Sequence, residues 1–505
     1  MRWIFVLLLF LAAGTALAAE PQPPFLTRND CPADTVLPEG IAAECGTVTV
    51  LEDRAKPDGP RIRLRVATLW RTDRELRPDP LLFIEGGPGR AVGLTGEWLS
   101  IWAAATSLEW LGTRRLILFD QRGVGESRLS PSPCGLFDHH ESQQILDHTR
   151  PPRAVWAADF RRSAKRCWAR LREAGHDPGQ ITTATIAADV ADLRRAFGYP
   201  ARNLWGFSFG SRVALTVMRD HPDGIRSAIL EGVLPPEASF YDYAANTGQA
   251  FDALLLACRA DPGCAEGYPD LERRFLALAG RFDHEPLTVA VSEDETARID
   301  GWMFRDIVDG MLQSSDRARF IPRLIEELEA GESRLIANGK RMELLDLELK
   351  ELGWEQSVYI SIACADLFPA DPAWVETARS RDRRFAAQVW DQAADGYCGS
   401  WPVPRSPASE AAPVTSEIPA LLISGAFDPL TPPAWAESAV KRLAHGTSFV
   451  FPGQGHGVLN RGQPCARRIA DRFLADPSQR PDHDCFANLA PMIFEPPARW
   501  RAGRP

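Results

Sequence analysis

One serine in this chain stands in a setting that suits nucleophilic catalysis. Ser208 is the centre of a Gly-Phe-Ser-Phe-Gly run at 206–210, between a short extended stretch and the start of a small-residue helix. A G-x-S-x-G segment in that setting forms a sharp turn that exposes the serine hydroxyl above a sheet. Because a serine hydroxyl is inert at neutral pH, it needs a base to remove its proton. The segment therefore predicts a nucleophile that requires a histidine and an acid.

His456 and Asp428 are the candidates for that base and acid. His456 lies in a glycine-rich loop at 451–457, directly after a predicted strand, and Asp428 follows an earlier predicted strand. Taken alone, a solvated surface histidine and a turn aspartate before proline are the plain alternatives. The order serine, acid, histidine is one that a parallel-sheet hydrolase uses for its catalytic triad. Together, the three residues predict acyl transfer.

Acyl transfer also needs backbone N–H groups that stabilise the oxyanion. One is expected to be the N–H of Phe209, directly after the nucleophile. The other is expected from a Glu-Gly-Gly-Pro-Gly loop at 85–89, where glycines allow the backbone to come close to the acyl oxygen. Gly87 is the favoured donor and Gly86 the next choice.

Strands and helices alternate around these residues. Apolar runs typical of strands buried on both faces occur at 81–84, 116–119, 203–205, 228–230, 420–423 and 448–451. An amphipathic helix carries Ile186, Val190, Leu193 and Phe197 on one face and is closed by Gly198. The alternation predicts an α/β fold, a mostly parallel sheet with helices on both faces. Between about 237 and 400 helical patterns dominate, at 271–282, 320–329 and 342–352, which predicts a helical insertion.

The composition narrows the compartment and the partners. The chain has 505 residues and a net charge of −10, which argues against nucleic acid or an anionic membrane as a partner. Arg2, an apolar run at 4–13 and Ala-Leu-Ala at 16–18 form the pattern of a cleaved export signal. An uncleaved anchor is the alternative, but the run is about half the length of a membrane span. We expect an exported protein, periplasmic or secreted, without a membrane anchor.

The cysteines agree with an oxidising destination, because there are ten of them, an even number. Sequence alone leaves their connectivity open. Their spacing suggests near-neighbour pairs, namely Cys31–Cys45, Cys134–Cys167, Cys258–Cys264, Cys364–Cys398 and Cys465–Cys485. No C-x-x-C pair or histidine cluster points to a metal, and no cofactor motif is present. We therefore expect no metal and no cofactor.

Several segments together carry a family resemblance. They are Gly-Gly-Pro-Gly at 86–89, Asp-Gln-Arg-Gly-Val-Gly-Glu-Ser at 120–127, the turn at 206–210, and Gly-Ala-Phe-Asp-Pro-Leu-Thr-Pro-Pro at 425–433. In these the chain resembles the proline iminopeptidase and tripeptidyl aminopeptidase family of serine α/β-hydrolases. The secreted tripeptidyl aminopeptidase branch matches best, through the N-terminal cysteine pair and a TAP-like segment that contains Cys465 and Cys485.

The resemblance implies roles and boundaries. Ser208, Asp428 and His456 would be the catalytic triad, and the insertion would be a cap over the site. The expected parts are a signal peptide at 1–18, a first part of the hydrolase core at 19–235, a helical cap at 236–404, and the C-terminal part of the core at 405–505.

The expected function is that of an exported serine aminopeptidase that hydrolyses short peptides from the free N-terminus. Such an enzyme must hold an ammonium group, which calls for a carboxylate in a partly closed pocket. Glu85, Glu231 and Glu237 are the candidates. A carboxylesterase or other amide hydrolase could use the same triad, and a non-catalytic binding protein could keep the same fold. Asp120 and Arg122 are interpreted as residues that hold a loop near the site.

Overall fold

The structure is a computed structural model that describes most of the chain. The described residues are 22–106, 112–129, 134, 153–290, 296–332, 334–336, 354–369, 371, 373–389, 396 and 398–497. The predicted signal peptide at 1–18 and the predicted helix at 342–352 lie outside them. Among the described residues, no helix is both long and apolar enough to cross a membrane.

Nine strands of the described chain form one sheet. With a separate hairpin they are β1 Phe25–Asn29, β2 Ile41–Leu51, β3 Arg61–Arg71, β4 Leu81–Ile84, β5 Leu116–Phe119, β6 Arg202–Phe207, β7 Ile225–Glu231, β8 Leu287–Ala290, β9 Thr296–Ile299, β10 Ala420–Gly425 and β11 Gly446–Phe451. The order across the sheet is β1-β2-β3-β5-β4-β6-β7-β10-β11. In this order, the neighbouring strands β5, β4, β6, β7, β10 and β11 run parallel to one another. The strands β1, β2 and β3 add an antiparallel edge.

The central strands are apolar because the sheet is covered on both faces. Every residue of β4, β5, β6 and β10 is buried. Two apolar clusters lie on opposite faces, since alternate residues such as Leu204 and Trp205 belong to different clusters. The predicted mostly parallel sheet is thus confirmed.

The helices of the described chain cover the sheet and build the insertion. They are α1 Gly96–Thr106, α2 Arg153–Glu173, α3 Thr183–Phe197, α4 Phe209–Asp220, α5 Tyr243–Ala260, α6 Pro262–Gly267, α7 Leu271–His284, α8 Gly301–Leu312, α9 Ser315–Ala318, α10 Ile321–Glu329, α11 Gln356–Ile362, α12 Ala373–Arg381, α13 Pro433–Val440 and α14 Pro464–Ala475. The helix α3 ends at Gly198 in the left-handed conformation, as its sequence predicts. It begins with a capping box between Thr182 and Thr185, which the sequence analysis did not single out.

The insertion lies between β7 and β10, from 232 to 419. Its described residues are mainly helical, and the apolar pattern missed one element, the antiparallel hairpin of β8 and β9. Both strands have only four residues, too few for a clear alternating pattern. The predicted cap boundaries at 236 and 404 fall inside this interval and stay predictions.

The ten cysteines form disulfides in the near-neighbour combination. The bond between Cys31 and Cys45 joins the N-terminal segment to β2, and that between Cys364 and Cys398 closes a loop within the insertion. Each bond restricts the unfolded chain and would typically stabilise the fold by about 2–4 kcal/mol.

Candidate active site

Ser208 lies in a strained turn between β6 and α4. Its φ and ψ are 57° and −124°, which a residue with a side chain adopts rarely. The flanking glycines are required by space, because a Cβ on Gly206 would overlap the carbonyl of Gly210, and a Cβ on Gly210 would overlap that of Ile84. The amide of Ser208 donates to the carbonyl of Glu231, 2.8 Å away. The turn thus raises the serine above the carboxyl edge of the sheet.

His456 and Asp428 form a hydrogen-bonded pair at the same edge. His456 Nδ1 lies 2.9 Å from Asp428 Oδ2, and both side chains are buried. The other carboxylate oxygen, Oδ1, accepts from the amides of Leu430 and Thr431, each at 2.9 Å. A carboxylate held at both oxygens can keep the imidazole in one orientation and one tautomer, with Nε2 available as a base.

The ring of His456 packs against Phe207, the residue before Ser208. The Phe207 and His456 ring centroids are 4.9 Å apart. A Cβ on Gly232, which follows β7, would lie 3.2 Å from His456 Cε1. The loops after β6, β10 and β11 therefore meet beside the end of β7, as expected for parallel strands whose carboxyl ends share one edge.

Thr431 is a further member of this cluster that the sequence analysis did not single out. Its hydroxyl donates to Asp428 Oδ2 at 2.7 Å and lies 3.1 Å from His456 Nδ1. The signal was present in the Asp-Pro-Leu-Thr run, because a threonine three residues after an aspartate can return to its carboxylate.

We predict that T431V lowers kcat about tenfold and leaves KM little changed. Valine keeps the shape of threonine but removes one hydrogen bond to Asp428, a loss of about 1 kcal/mol or somewhat more. T431S keeps the hydroxyl and is the matched control, expected to retain most of the wild-type kcat. Equal losses in T431V and T431S would show that the methyl group, and not the hydroxyl, matters.

The glycine loop at 85–89 lies directly against the nucleophile. A Cβ on Gly86 would be 2.8 Å from Ser208 Cβ, and Gly87 has a φ of 111°. The amide of Gly86 already donates to Glu85 Oε1 at 2.8 Å. This engagement favours Gly87 over Gly86 as the second oxyanion donor beside Phe209. That assignment stays a prediction.

Two family models match the chain. The model for the alpha/beta hydrolase fold matches residues 79–265, which include β4 to β7 and the Ser208 turn. The model for TAP-like proteins matches residues 383–485, which include Asp428 and His456. The chain therefore has the α/β-hydrolase fold, with a TAP-like C-terminal part. The family resemblance seen in the sequence motifs is therefore confirmed.

Curated relatives of this α/β-hydrolase are named as peptidases. The chain is 26% identical over 494 residues to a tripeptidyl aminopeptidase of Streptomyces coelicolor, covering 92% of this chain and 86% of the relative. It is 24% identical over 501 residues to the serine protease Hip1 of Mycobacterium tuberculosis, covering 92% of this chain and 91% of the relative. The similarity therefore extends through the insertion as well as the core.

The structure gives the three glutamate candidates of this hydrolase different surroundings. Glu85 is buried beside the nucleophile, where its Oε1 holds the amide of Gly86. Glu237 is partly buried and lies 3.6 Å from the guanidinium of Arg442.

Glu231 is fully enclosed, and its two carboxylate oxygens accept from Trp205 Nε1 and from the amide of Asn460. This enclosure favours a structural part for Glu231 over contact with a substrate amine.

A further carboxylate, on a helix of the insertion, lies near Asp428. Asp309 of α8 accepts from the Thr247 hydroxyl at 2.6 Å and from Gln313 Nε2 at 3.2 Å. Its side chain keeps some solvent contact, and within the described residues no lysine, arginine or histidine pairs with it. Burial, and to a lesser extent the negative charges of Asp306 and Asp428, raise the pKa of Asp309 to about 6.

The helix that carries Asp309 contacts the loop of His456 through Gln313. The carbonyl of Gln313, one turn after Asp309, accepts from the amide of His456 at 3.0 Å. Gly455 has no room for a side chain, since a Cβ there would lie 2.7 Å from the Leu312 and Gln313 carbonyl oxygens. Sequence reasoning missed Asp309 because nothing local distinguishes it from a solvated aspartate on a helix.

Two tyrosines lie near Asp309 and the base. Tyr243 of α5 and Tyr359 of α11 are half-buried, and each stacks on the buried ring of Phe240. Burial, together with nearby Tyr359, Asp309 and Asp428, raises the pKa of the Tyr243 phenol well above its usual value. Tyr359 also lies against Gly89 of the glycine loop. Tyr359 thus contacts the glycine loop, and Tyr243 lies near Asp309 and Asp428.

Asp120 and Arg122 hold loops beneath the site. Asp120 is fully buried and accepts from the amides of Val92 and Glu126, each at 2.9 Å, and its burial raises its pKa to about 6. Arg122 makes a two-point ion pair with Asp189 of α3. These contacts agree with the interpretation that both residues position backbone.

Proposed function

We propose that this chain is an exported serine aminopeptidase that acts on short peptides with a free N-terminus. The observation that carries the proposal is an acidic residue without a cationic partner among the described residues, Asp309, on the helix whose end contacts the loop of His456 beside Ser208 and Asp428. A free α-ammonium group has the charge and the donors that such a carboxylate requires. The disulfides support a destination in an oxidising compartment.

In the proposed mechanism, Ser208 Oγ attacks the carbonyl carbon of the scissile peptide bond. Its proton passes to His456 Nε2, while Asp428 holds Nδ1–H and stabilises the imidazolium. The N–H groups of Phe209 and Gly87 bind the oxyanion of the tetrahedral intermediate. The C–N bond then breaks, and His456 returns the proton to the leaving amine. Water attacks the acyl-enzyme by the same route and regenerates the Ser208 hydroxyl.

Asp309 would select the substrate by charge. Its carboxylate would bind the α-ammonium and so hold the N-terminus at a fixed distance from Ser208 Oγ. A blocked N-terminus would displace water from this carboxylate without supplying a cationic partner, which costs binding free energy and rejects acylated peptides.

Three matched substrates test the proposed function: a free-amino tripeptide anilide, its N-acetylated twin and a short acyl ester. S208A is the blank. Fast cleavage of the free-amino anilide with rejection of the acetylated one is expected. Equal cleavage of both anilides would indicate a peptidase without N-terminal selection. Turnover of the ester alone would identify a carboxylesterase and overturn the proposal.

We predict that D309N lowers kcat/KM for the free-amino anilide about 10- to 100-fold, because one charge-assisted contact is lost. Turnover of the ester should change little, since it has no ammonium group. D316N, which changes an exposed aspartate on the neighbouring helix α9, is the matched control. A loss of the same size on both substrates would point to a distorted site instead of a lost ammonium contact.

The pH dependence of KM gives an independent check on Asp309. Since the pKa of Asp309 is raised to about 6, its carboxylate is ionised above that pH and neutral below it. The KM of the free-amino substrate should therefore rise as the pH falls below about 6. It should rise again above about 8, where the peptide amine loses its proton. The KM of the ester should show neither rise. In D309N, the rise in KM of the free-amino substrate at acidic pH should be absent.

A further inference from the structure

Glu231 connects the nucleophile turn to the loop that carries the base. It is the last residue of β7 and is fully buried. Its main-chain carbonyl accepts from the amide of Ser208 at 2.8 Å. Its side chain accepts from the amide of Asn460, with N···O distances of 2.9 and 3.2 Å, and from Trp205 Nε1 at 3.0 Å. Glu231 thus hydrogen-bonds both to the turn that carries Ser208 and to the loop that carries His456.

Those donors require a charged carboxylate. An N–H group fixes each oxygen, so a proton on either oxygen would face a donor instead of an acceptor. Burial raises the pKa of Glu231 above its usual value, and the N–H donors together with a positive charge on His456 offset only part of that rise. The neighbouring strands contribute no charge here: β6 presents Trp205, and β10 places the apolar Ile423 opposite Glu231 in register. The imidazolium of His456 is the positive charge that acts on it.

We propose that ionised Glu231 is a positioning residue for His456, which sets the base loop against the Ser208 turn and stabilises the imidazolium formed during acyl transfer. The link runs from the carboxylate through the amide of Asn460 to the loop at 456–460. The loop is also held by the Gln313 carbonyl of the insertion on the His456 amide and by Asp428 on the His456 ring. Loss of the Glu231 carboxylate would remove the hydrogen bond that joins Asn460 of this loop to the end of β7.

The proposal rests on the Ser208–His456 pair of the proposed function but not on the identity of the substrate. It can therefore be tested with a fluorophosphonate probe, which phosphonylates an activated serine irrespective of peptide or ester specificity. The rate of labelling of the full chain reports the competence of the pair. If H456A and S208A label as fast as the wild type, the triad assignment fails. If H456A and S208A label slowly but the Glu231 variants label as fast as the wild type, the inference about Glu231 fails and the triad assignment stands.

The test variant is E231Q. Its amide NH₂ must face the N–H of Asn460 or of Trp205, so the base loop shifts. We expect the labelling rate and kcat to fall about 10- to 100-fold, as a small misplacement of a catalytic group does, while KM stays near the wild-type value. The acidic limb of the pH–rate profile should move to lower pH, because the imidazolium loses a neighbouring negative charge.

The matched control is E52Q. Glu52 is also a buried glutamate, and its carboxylate contacts the amide of Asp177 and the ring of His176, each at 3.3 Å. E52Q should lose thermal stability to an extent similar to E231Q but keep the wild-type kcat and pH midpoint. Equal kinetic losses in E52Q and E231Q, or an unchanged pH midpoint in E231Q, would overturn the proposal.

A second variant covers the case that E231Q does not fold. W205F keeps an aromatic ring in the core but removes the indole N–H from the Glu231 carboxylate. The carboxylate would then be protonated at a higher pH, so the acidic limb should move upward, opposite to the shift in E231Q. A W205F profile identical to that of the wild type would overturn the proposal.

Discussion

Replacement of Ser208 by alanine should lower kcat by about 10⁶-fold, as loss of the nucleophile does in a serine hydrolase. The only atom removed is Oγ, and the backbone at φ 57° is already accepted by a residue with a Cβ. The amide of position 208 still donates to the Glu231 carbonyl, so the turn should keep its shape. The measurement is turnover of all three matched substrates, with the thermal midpoint as a check on folding.

The informative control is the acyl-enzyme itself. Wild-type enzyme mixed with a slowly deacylating ester should gain the mass of the acyl group on the peptide that contains Ser208, and S208A should not. Substantial turnover in a folded S208A would show that another group is the nucleophile and would remove the basis of the triad assignment.

Replacement of Asp428 by asparagine should lower kcat about 10⁴-fold with little change in KM. The asparagine carbonyl can accept from the amides of Leu430 and Thr431, which now bind Oδ1. Its NH₂ group then faces His456 Nδ1, which must present a lone pair. The proton of the neutral ring moves to Nε2, and the base can no longer accept the proton of Ser208.

The pH dependence separates this explanation from misfolding. Because the wrong tautomer cannot act as a base near neutral pH, the residual activity of D428N should rise at alkaline pH, where hydroxide can replace the base. D428A, which offers no donor to Nδ1, should retain the wild-type tautomer in part and so lose less than D428N if the tautomer is the cause. A greater loss in D428A would assign the effect to lost orientation.

The insertion of this hydrolase is part of the site and not only a cover. The carbonyl of Gln313 binds the amide of His456, and Asp309 lies one turn before Gln313 on the same helix. A substrate ammonium on Asp309 would therefore bind to the element that touches the base loop. The two proposed roles are separated by substrate, because D309N should affect the free-amino anilide more than the ester, whereas D428N should affect both.

Much of the fold and of the candidate triad could be predicted from sequence, for a local reason. The turn at 206–210 needs glycine at both flanks because neighbouring backbone leaves no room for a Cβ. That requirement can be recognised in the amino-acid sequence. The continuous apolar runs of β4, β5 and β10 reflect burial on both faces. Asp428 and His456 follow such strands, so parallel topology places them at one edge.

The proposed ammonium site and the proposed part of Glu231 depend on tertiary structure. Glu231 sits at a strand end bordering the site, as a substrate ligand would, but the loop at 459–460 folds over it and occupies its oxygens. Asp309 is separated from Asp428 by most of the insertion, and only the packing of α8 on the base loop brings them near each other. Local sequence determined which residues could do chemistry, because turns and strands depend on near neighbours. Which carboxylate stays open to a ligand depends on contacts between distant segments, and those exist only in the folded chain.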